Sequence, residues 1–217
     1  MKTSFSQHGP RAMTFLDVAI ALATVALLAA VLLPALARTR STRSPRIHCV
    51  SNLKQVGLAF RMWANDHNNL MPMQVSTNQG GSMEFIPTGE VWRHFESLSN
   101  ELSTPRILKC VSDPGRTRVN SFAEFGPTNL SYFVGLDADE TKMQMLLSGD
   151  RNITNGLPPN NHILQATGPD TFGWTKAIHN NAGNIGLADG SAAQTTTTTL
   201  RRQLTDPSNA TNRLALP

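Results

Sequence analysis

The feature that most constrains this chain is an apolar segment near its N-terminus. From Val18 to Ala37, only Thr24 and Pro34 interrupt a run of apolar residues. A helix of this length, at about 1.5 Å per residue, spans about 30 Å, which matches the hydrocarbon core of a bilayer. Residues 13–37 are therefore predicted to form a transmembrane helix that crosses the membrane once.

A secretory signal peptide is the alternative interpretation of this segment. Its apolar region usually covers about 7–15 residues and ends at a cleavage site with small residues. Ala35-Leu36-Ala37 could supply such a site. The greater length of the run and the polar leader before it, with Lys2 and Arg11, favour the membrane-anchor interpretation.

The basic residues are clustered near this segment, although the net charge is only +4. Four arginines follow the apolar run closely, at positions 38, 40, 43 and 46. No aromatic residues are interleaved with them, so nucleic-acid binding is not expected. Attraction of a juxtamembrane cluster to anionic lipid head groups is the simpler account.

A lone carboxylate, Asp17, stands directly before the apolar run. Ionisable groups at this depth are costly and commonly functional. The segment Ala12-Met13-Thr14-Phe15-Leu16-Asp17 resembles the prepilin signal of type IV pilins and type II secretion pseudopilins. That resemblance implies cleavage between Ala12 and Met13, N-methylation of Met13, and an assembly role for Asp17, which would neutralise the new amine of a neighbouring subunit. Ala12 replaces the usual glycine, and Asp17 the usual glutamate.

A second helical segment follows the arginines. Ser44-Pro45 is typical of a helix start. Residues 65–69 form a polar cluster that is expected to end the helix. Between them, apolar residues recur every three or four positions, which is one face of a helix: Ile47, Val50, Leu53, Val56, Phe60 and Trp63. Residues 38–69 are similar to the part of a pilin helix that continues onto the head, with a kink expected at Pro45.

Residues 70–217 are expected to form a loop-rich globular head. Strands are predicted at 129–136 and 142–147. A hairpin is predicted around Asp189-Gly190, with strands at 184–188 and 192–197, and a short helix at 199–206. The predicted fold class is α+β: a long N-terminal transmembrane helix packed on a small antiparallel β-sheet head, as in pilins.

His179 precedes Asp189-Gly190 by ten residues. This spacing resembles the H-x9-DG signature near the C-terminus of many pseudopilin-like proteins, and the segments 109–113 and 212–217 resemble that group as well. An aspartate before glycine in a hairpin usually bonds its own backbone, so structural roles are expected for His179, Asp189 and Gly190. A hydrolase that uses His179 and Asp189 is the competing interpretation.

Cys49 and Cys110 are the only cysteines of the chain. They are too few for a zinc site or a disulfide scaffold, but one disulfide between them is allowed in an oxidising compartment. No metal is expected otherwise, although Asp137 and Asp139, with Glu140, form a carboxylate cluster of the kind that calcium favours. No catalytic motif is present, so the chain is not predicted to be an enzyme.

The resemblance implies a structural pseudopilin of a type II secretion-like or pilus-like fibre. Its partners would be other pseudopilins, a prepilin peptidase, the inner-membrane assembly platform and the lipid membrane. Its head would lie in the periplasm, on a single-pass anchor in the bacterial inner membrane. The arginines after the apolar run predict the opposite orientation by the positive-inside rule. The alternative is an anchored protein that binds a ligand or metal outside the cytoplasm and does not polymerise.

Overall fold

The computed structural model describes the backbone of residues 15–217 and the side chains of residues 15–30 and 45–217. The chain divides into two compact units, residues 1–43 and residues 44–217. We call the second unit the head. Helix α1, Phe15–Asp66, contributes to both units.

The structure does not bear out the transmembrane helix predicted at residues 13–37. Within the part of the chain that the structure describes, no helix is long and apolar enough to cross a membrane. The transmembrane part of the predicted fold class is therefore wrong, and so is the placement as a single-pass inner-membrane protein with a periplasmic head.

Within the head, α1 buries one face. Leu53, Val56, Phe60 and Trp63 are buried as their spacing predicts, and Cys49 joins them, whereas Ile47 is 57% exposed. No separate helix begins at Ser44-Pro45, because α1 already includes these residues. The helix ends at Asp66, where Asn68 and Asn69 take positive φ angles of 57° and 61°, within the polar cluster that predicted this end.

A six-stranded antiparallel sheet forms the centre of the head. Its strands are β1 (Tyr132–Gly135), β2 (Leu146–Asp150), β4 (Ile163–Gln165), β6 (Ala182–Leu187), β7 (Ala192–Thr196) and β8 (Arg213–Ala215). Their order in the sheet is β4-β8-β1-β2-β6-β7. The short strands β3 (Ile153–Thr154) and β5 (Gly173–Trp174) pair separately. The head therefore combines helices with an antiparallel sheet.

Both faces of the sheet are covered, because successive side chains of a strand point to opposite faces. Tyr132 and Val134 pack with the buried face of α1, together with the short helices α2 (Val91–Glu96) and α3 (Ser99–Leu102). Phe133, between them in β1, packs in a second cluster with Leu200 and Leu204 of α4 (Thr197–Leu204). The sheet thus lies between two apolar layers.

The strands differ in detail from the predicted ones. The hairpin around Asp189-Gly190 is present as β6 and β7. The strand predicted at 142–147 is shifted to residues 146–150, because Lys142 and Met145 lie in a turn closed by backbone hydrogen bonds. The sequence did not predict β3, β4, β5 and β8, each only two or three residues long.

Candidate functional site around His179

A disulfide between Cys49 and Cys110 joins α1 to the loop that follows residue 108. The two Cα atoms are 5.5 Å apart, and both residues are fully buried. Cys49 lies on the face of α1 that packs against the sheet. The bond therefore ties the helix to a loop 61 residues further along the chain.

His179 lies in a loop held in an uncommon backbone conformation. His179, Asn180 and Asn181 have consecutive positive φ angles of 55°, 53° and 62°. Such conformations cost energy for residues other than glycine and persist where the surrounding structure fixes them. The fixing group is the buried amide of Asn152, whose Nδ2 lies 2.8 to 3.1 Å from the carbonyl oxygens of Thr175, Ile178 and Ala182.

The held loop directs the imidazole of His179 toward the disulfide. Its Nε2 lies 3.3 Å from the Sγ of Cys110 and 3.5 Å from the Oδ2 of Asp150. Only 2% of the His179 side chain is exposed. The two sulfur atoms and an imidazole nitrogen lie within 4.8 Å of one another.

Asp150, at the end of β2, supplies a buried carboxylate. Its Oδ2 accepts hydrogen bonds from the backbone N and the Nδ2 of Asn184, at 2.7 and 2.8 Å. Its Oδ1 is buried without a hydrogen-bond partner. A buried acceptor without a donor is costly, because it has lost its water. The site therefore contains a carboxylate oxygen without a hydrogen-bond partner, and the amide oxygens of Asn152 and Asn184 are likewise unpartnered.

Burial shifts the pKa values of both groups toward the uncharged forms. It raises the pKa of Asp150 to about 7, against the opposing effects of Asn184 and of the charge of Arg46. Together with a smaller effect of the charge of Arg46, burial lowers the pKa of His179 to about 4. The imidazole is therefore neutral at pH 7, and its contact with Asp150 is not an ion pair despite the short distance.

Two charged groups border the site. The Nη2 of Arg46 donates to the carbonyl oxygens of Gly183 and Thr195, at 3.3 and 3.4 Å. On the loop that carries Cys110, the fully buried Asp113 accepts two hydrogen bonds from Arg151, at 2.7 and 2.8 Å. These groups fix the loop and the strand end that carry Cys110 and Asp150.

The residues predicted for processing and assembly lie in the N-terminal segment. Ala12 and Met13 lie outside the described residues. Asp17 lies in the first turn of α1, where the helix dipole favours a negative charge. The predictions of cleavage, methylation and an assembly role therefore stay predictions.

The structure does not bring the Asp189 side chain into the His179 cluster. The Oδ1 of Asp189 accepts a hydrogen bond from the backbone N of Ser191, at 2.8 Å, which is the turn bond expected before glycine. The backbone oxygen of Asp189 accepts from Arg61 of α1, at 3.0 Å. Gly190 takes the positive φ of 83° that the turn requires. Asp189 and Gly190 thus form a turn that contacts α1.

The carboxylates considered for calcium each have a different partner. Asp137 forms a bidentate pair with Arg213, at 2.6 and 2.9 Å. Asp139 bonds the backbone and hydroxyl of Thr141, both at 2.8 Å, and Glu140 lies 3.3 Å from Arg61. Within residues 15–30 and 45–217, these carboxylates do not form a group of converging metal ligands.

The sequence did not single out Asp150, Asn152 or Asn184. One signal was present: Asp150 closely follows the apolar pair Leu146-Leu147, and an aspartate is rarely buried in a strand unless it is paired. Asn152 and Asn184 carry no comparable signal, since asparagine is frequent throughout this chain.

Comparison with protein-family models, with curated proteins and with solved structures finds no match to this chain. The resemblance to pseudopilins therefore rests on the quoted sequence motifs alone.

Proposed function

We propose that this chain is a structural subunit of a pilin-like fibre and that it polymerises through the N-terminal part of α1. The proposal combines the prepilin-like signal with one structural observation, the exposure of apolar side chains in the first unit. The head would be the compact, disulfide-linked part that each subunit presents along the fibre.

The apolar side chains of residues 15–28 are largely exposed. Their exposed fractions run from 43% for Val18 to 91% for Phe15. At about 100° per residue they are distributed around the whole helix, so no polar face remains for solvent. The exposed set is Phe15, Leu16, Val18, Ile20, Leu22, Val25, Leu27 and Leu28. A surface of this kind marks a site of association.

Other copies of the same segment are the partner that we propose. A helix that is apolar all round is stable when it is surrounded by other helices. Each copy carries the same surface, and burying one large apolar side chain contributes about 1.5 to 3 kcal/mol. Contacts between non-equivalent faces of identical subunits that do not close into a ring produce a fibre.

The prepilin-like signal supplies the second part of the proposal. A prepilin-type peptidase would cut between Ala12 and Met13, and the new N-terminus of Met13 would be methylated. Asp17 would then neutralise the amine of Met13 in an adjacent copy and set the axial register between helices. A shorter or neutral side chain at position 17 would weaken that pairing.

Assembly of the purified chain tests the role of the apolar helix. We expect the native chain to form filaments that sediment rapidly and are visible by negative-stain electron microscopy. Leu22→Asp should abolish them, because a charge in a buried helix bundle is costly. Leu157→Asp is the matched control, since Leu157 is an equally exposed head residue, at 68%. Normal filaments from Leu22→Asp would contradict the proposal.

Mass spectrometry of the mature N-terminus tests the processing. When the chain is produced together with a prepilin peptidase, the mature form should begin at N-methyl-Met13. Asp17→Asn should be processed but should assemble poorly, whereas Asp17→Glu should assemble. A chain that keeps residues 1–12 in the presence of the peptidase, or an Asp17→Asn variant that assembles normally, would overturn this part.

A further inference from the structure

We propose that the reduced form of this chain binds a zinc ion through Cys49, Cys110 and His179, with Asp150 as the fourth ligand. This inference is independent of the proposed role in a fibre. It assigns to the His179 cluster a metal that the disulfide excludes, because the same two sulfur atoms cannot serve both.

The donor set has the chemistry of a zinc site. Zinc is bound tetrahedrally by cysteine sulfur, histidine nitrogen and carboxylate oxygen. Here two sulfur atoms and an imidazole nitrogen converge within 4.8 Å. Within the described parts of the chain, this is the one group of three such ligands that converges in this way.

Two distances from His179 are close to those around one tetrahedral ion. Asp150 lies outside the converging group of three, so it joins the ion only by moving toward the sulfur atoms. Zinc bonds of about 2.3 Å to sulfur and 2.0 to 2.1 Å to nitrogen or oxygen place two ligand atoms about 3.4 to 3.6 Å apart. The Nε2 of His179 is 3.3 Å from the Sγ of Cys110. It is 3.5 Å from the Oδ2 of Asp150, the oxygen that Asn184 already holds, and the ion would take the other oxygen, Oδ1. After reduction, the two sulfur atoms need to separate to only about 3.8 Å, which side-chain rotation can provide.

The unpartnered Oδ1 of Asp150 is a second observation that favours a cation at this site. Asp150 is fully buried, and its Oδ1 has no hydrogen-bond partner. Its Oδ2 is held by Asn184, so the carboxylate is oriented in the way that outer groups orient metal ligands. A bound cation would give this buried carboxylate the compensation that it lacks.

The charges balance when the ion is bound. Two thiolates and one carboxylate contribute −3, and zinc contributes +2. The guanidinium of Arg46, which donates to the carbonyl of Gly183 beside Asn184, lies at the border of the site and offsets the remaining charge. Little uncompensated charge is then left in the buried site, and uncompensated buried charge is strongly destabilising.

The proposed sequence of steps conserves atoms and electrons. A phosphine reductant takes oxygen from water and becomes a phosphine oxide, while the S–S bond breaks and each sulfur gains one hydrogen. Zinc then displaces the two thiol protons, which pass to solvent, and forms bonds to both sulfur atoms, to His179 and to Asp150. Reoxidation of the sulfurs to the disulfide requires release of the ion.

Titration of the full chain with Co²⁺, which substitutes for zinc and is coloured, tests this site. The chain is first reduced with a phosphine under anaerobic conditions. We expect sulfur-to-cobalt charge-transfer absorption and tetrahedral d–d bands that saturate at one equivalent and disappear when Zn²⁺ is added. The oxidised chain should show neither. A folded, reduced chain without charge-transfer absorption would overturn the proposal.

Variants separate the ligands from the fold. His179→Gln and Asp150→Asn should each weaken Co²⁺ binding at least tenfold. His162→Gln is the matched control, because His162 is an exposed histidine that also has a positive φ, 64°. Unchanged affinity in His179→Gln would overturn the site, and unchanged affinity in Asp150→Asn would remove Asp150 from it.

Circular dichroism covers the case in which the reduced chain unfolds. Metal sites that form only in the folded state couple binding to folding. One equivalent of Zn²⁺ should then restore the native spectrum of the reduced chain, and should fail to do so in His179→Gln. An unfolded reduced chain that zinc does not refold would also overturn the proposal.

Discussion

Gly57 of α1 and Gly190 of the β6–β7 turn bring two backbones into direct contact. A Cβ atom added to Gly57 would lie 3.0 Å from the Cα of Gly190 and 3.3 Å from its carbonyl oxygen. The neighbouring Arg61 donates to the carbonyl oxygen of Asp189. The aspartate-glycine turn therefore functions as a packing surface for the helix, which accounts for two residues of the H-x9-DG pattern.

Gly57→Ala is expected to lower the free energy of unfolding by about 1 to 3 kcal/mol, because the added methyl group meets backbone that cannot move aside. Alanine is the better helix former by about 1 kcal/mol, so helix propensity alone predicts the opposite sign. Urea unfolding measures the change. Ser51→Ala, at an exposed position of the same helix, is the control and should change stability little. A Gly57→Ala variant more stable than the parent would show that the contact is loose.

Removing the disulfide should destabilise the head. The bond closes a loop with a sequence separation of 61 residues, and loop-closure entropy for this length corresponds to about 4 kcal/mol. The double variant Cys49→Ala, Cys110→Ala should show this loss in urea unfolding with a chelator present. Val111→Ala, at an exposed neighbouring position, should stay within about 0.5 kcal/mol. A loss below about 1 kcal/mol in the double variant would mean that the loop is fixed by other contacts.

The ion pair of Asp113 and Arg151 should be among the strongest polar contributions to stability. Arg151→Met keeps the apolar stem but leaves the fully buried Asp113 carboxylate without its partner. We expect a loss of about 3 to 5 kcal/mol, as for other broken buried pairs. The exposed pair of Arg93 and Glu90, at 3.8 Å, offers a control, and Glu90→Gln should cost under about 1 kcal/mol. Equal effects of the two substitutions would refute this ranking.

His94 should make the head less stable in acid. Burial lowers the pKa of His94 to about 4 from an ordinary value of 6.5. The unfolded state therefore binds the proton first, and stability is lost as the pH falls from about 6.5 to about 4. The shift corresponds to roughly 3 kcal/mol over this window.

The variant His94→Gln isolates this contribution. Between pH 6.5 and pH 4, its free energy of unfolding should fall less than that of the parent. The difference between the two falls is the contribution of His94. The difference between the two proteins is the relevant measurement, because His179 contributes with the same sign and Asp150 with the opposite sign. His162→Gln is the control at an exposed histidine. Parallel stability profiles for the parent and His94→Gln would contradict the prediction.

Periodicity and turn chemistry predicted part of the head. The buried face of α1 and the hairpin around Asp189-Gly190 follow from local spacing, so both were visible in the sequence. The strands β3, β4, β5 and β8 were not, because two or three residues carry no measurable alternation and their pairing depends on distant partners. β8 pairs with both β1 and β4, far away in the chain.

The candidate site was predictable only in fragments. The sequence identified His179, Cys49 and Cys110 as candidate residues, but no local sequence pattern indicates that they lie close together in the fold. The role of Asn152 depends on its contacts with three carbonyl groups, and that of Asp150 on its unpartnered Oδ1. Both features arise only in the folded backbone. The length of the apolar run predicted a transmembrane helix, whereas no helix within the described residues is long and apolar enough to cross a membrane.

The link between α1 and the Cys110 loop also has a mechanical consequence. A load applied from the N-terminal side reaches Cys49 along α1 and passes through the sulfur–sulfur bond to Cys110. The residues between them belong to a closed covalent ring and cannot be drawn out while it is intact. At about 3.5 Å per extended residue, the ring withholds about 210 Å of chain. Pulling on the N-terminal end of α1 would therefore extend the oxidised subunit far less than the reduced one.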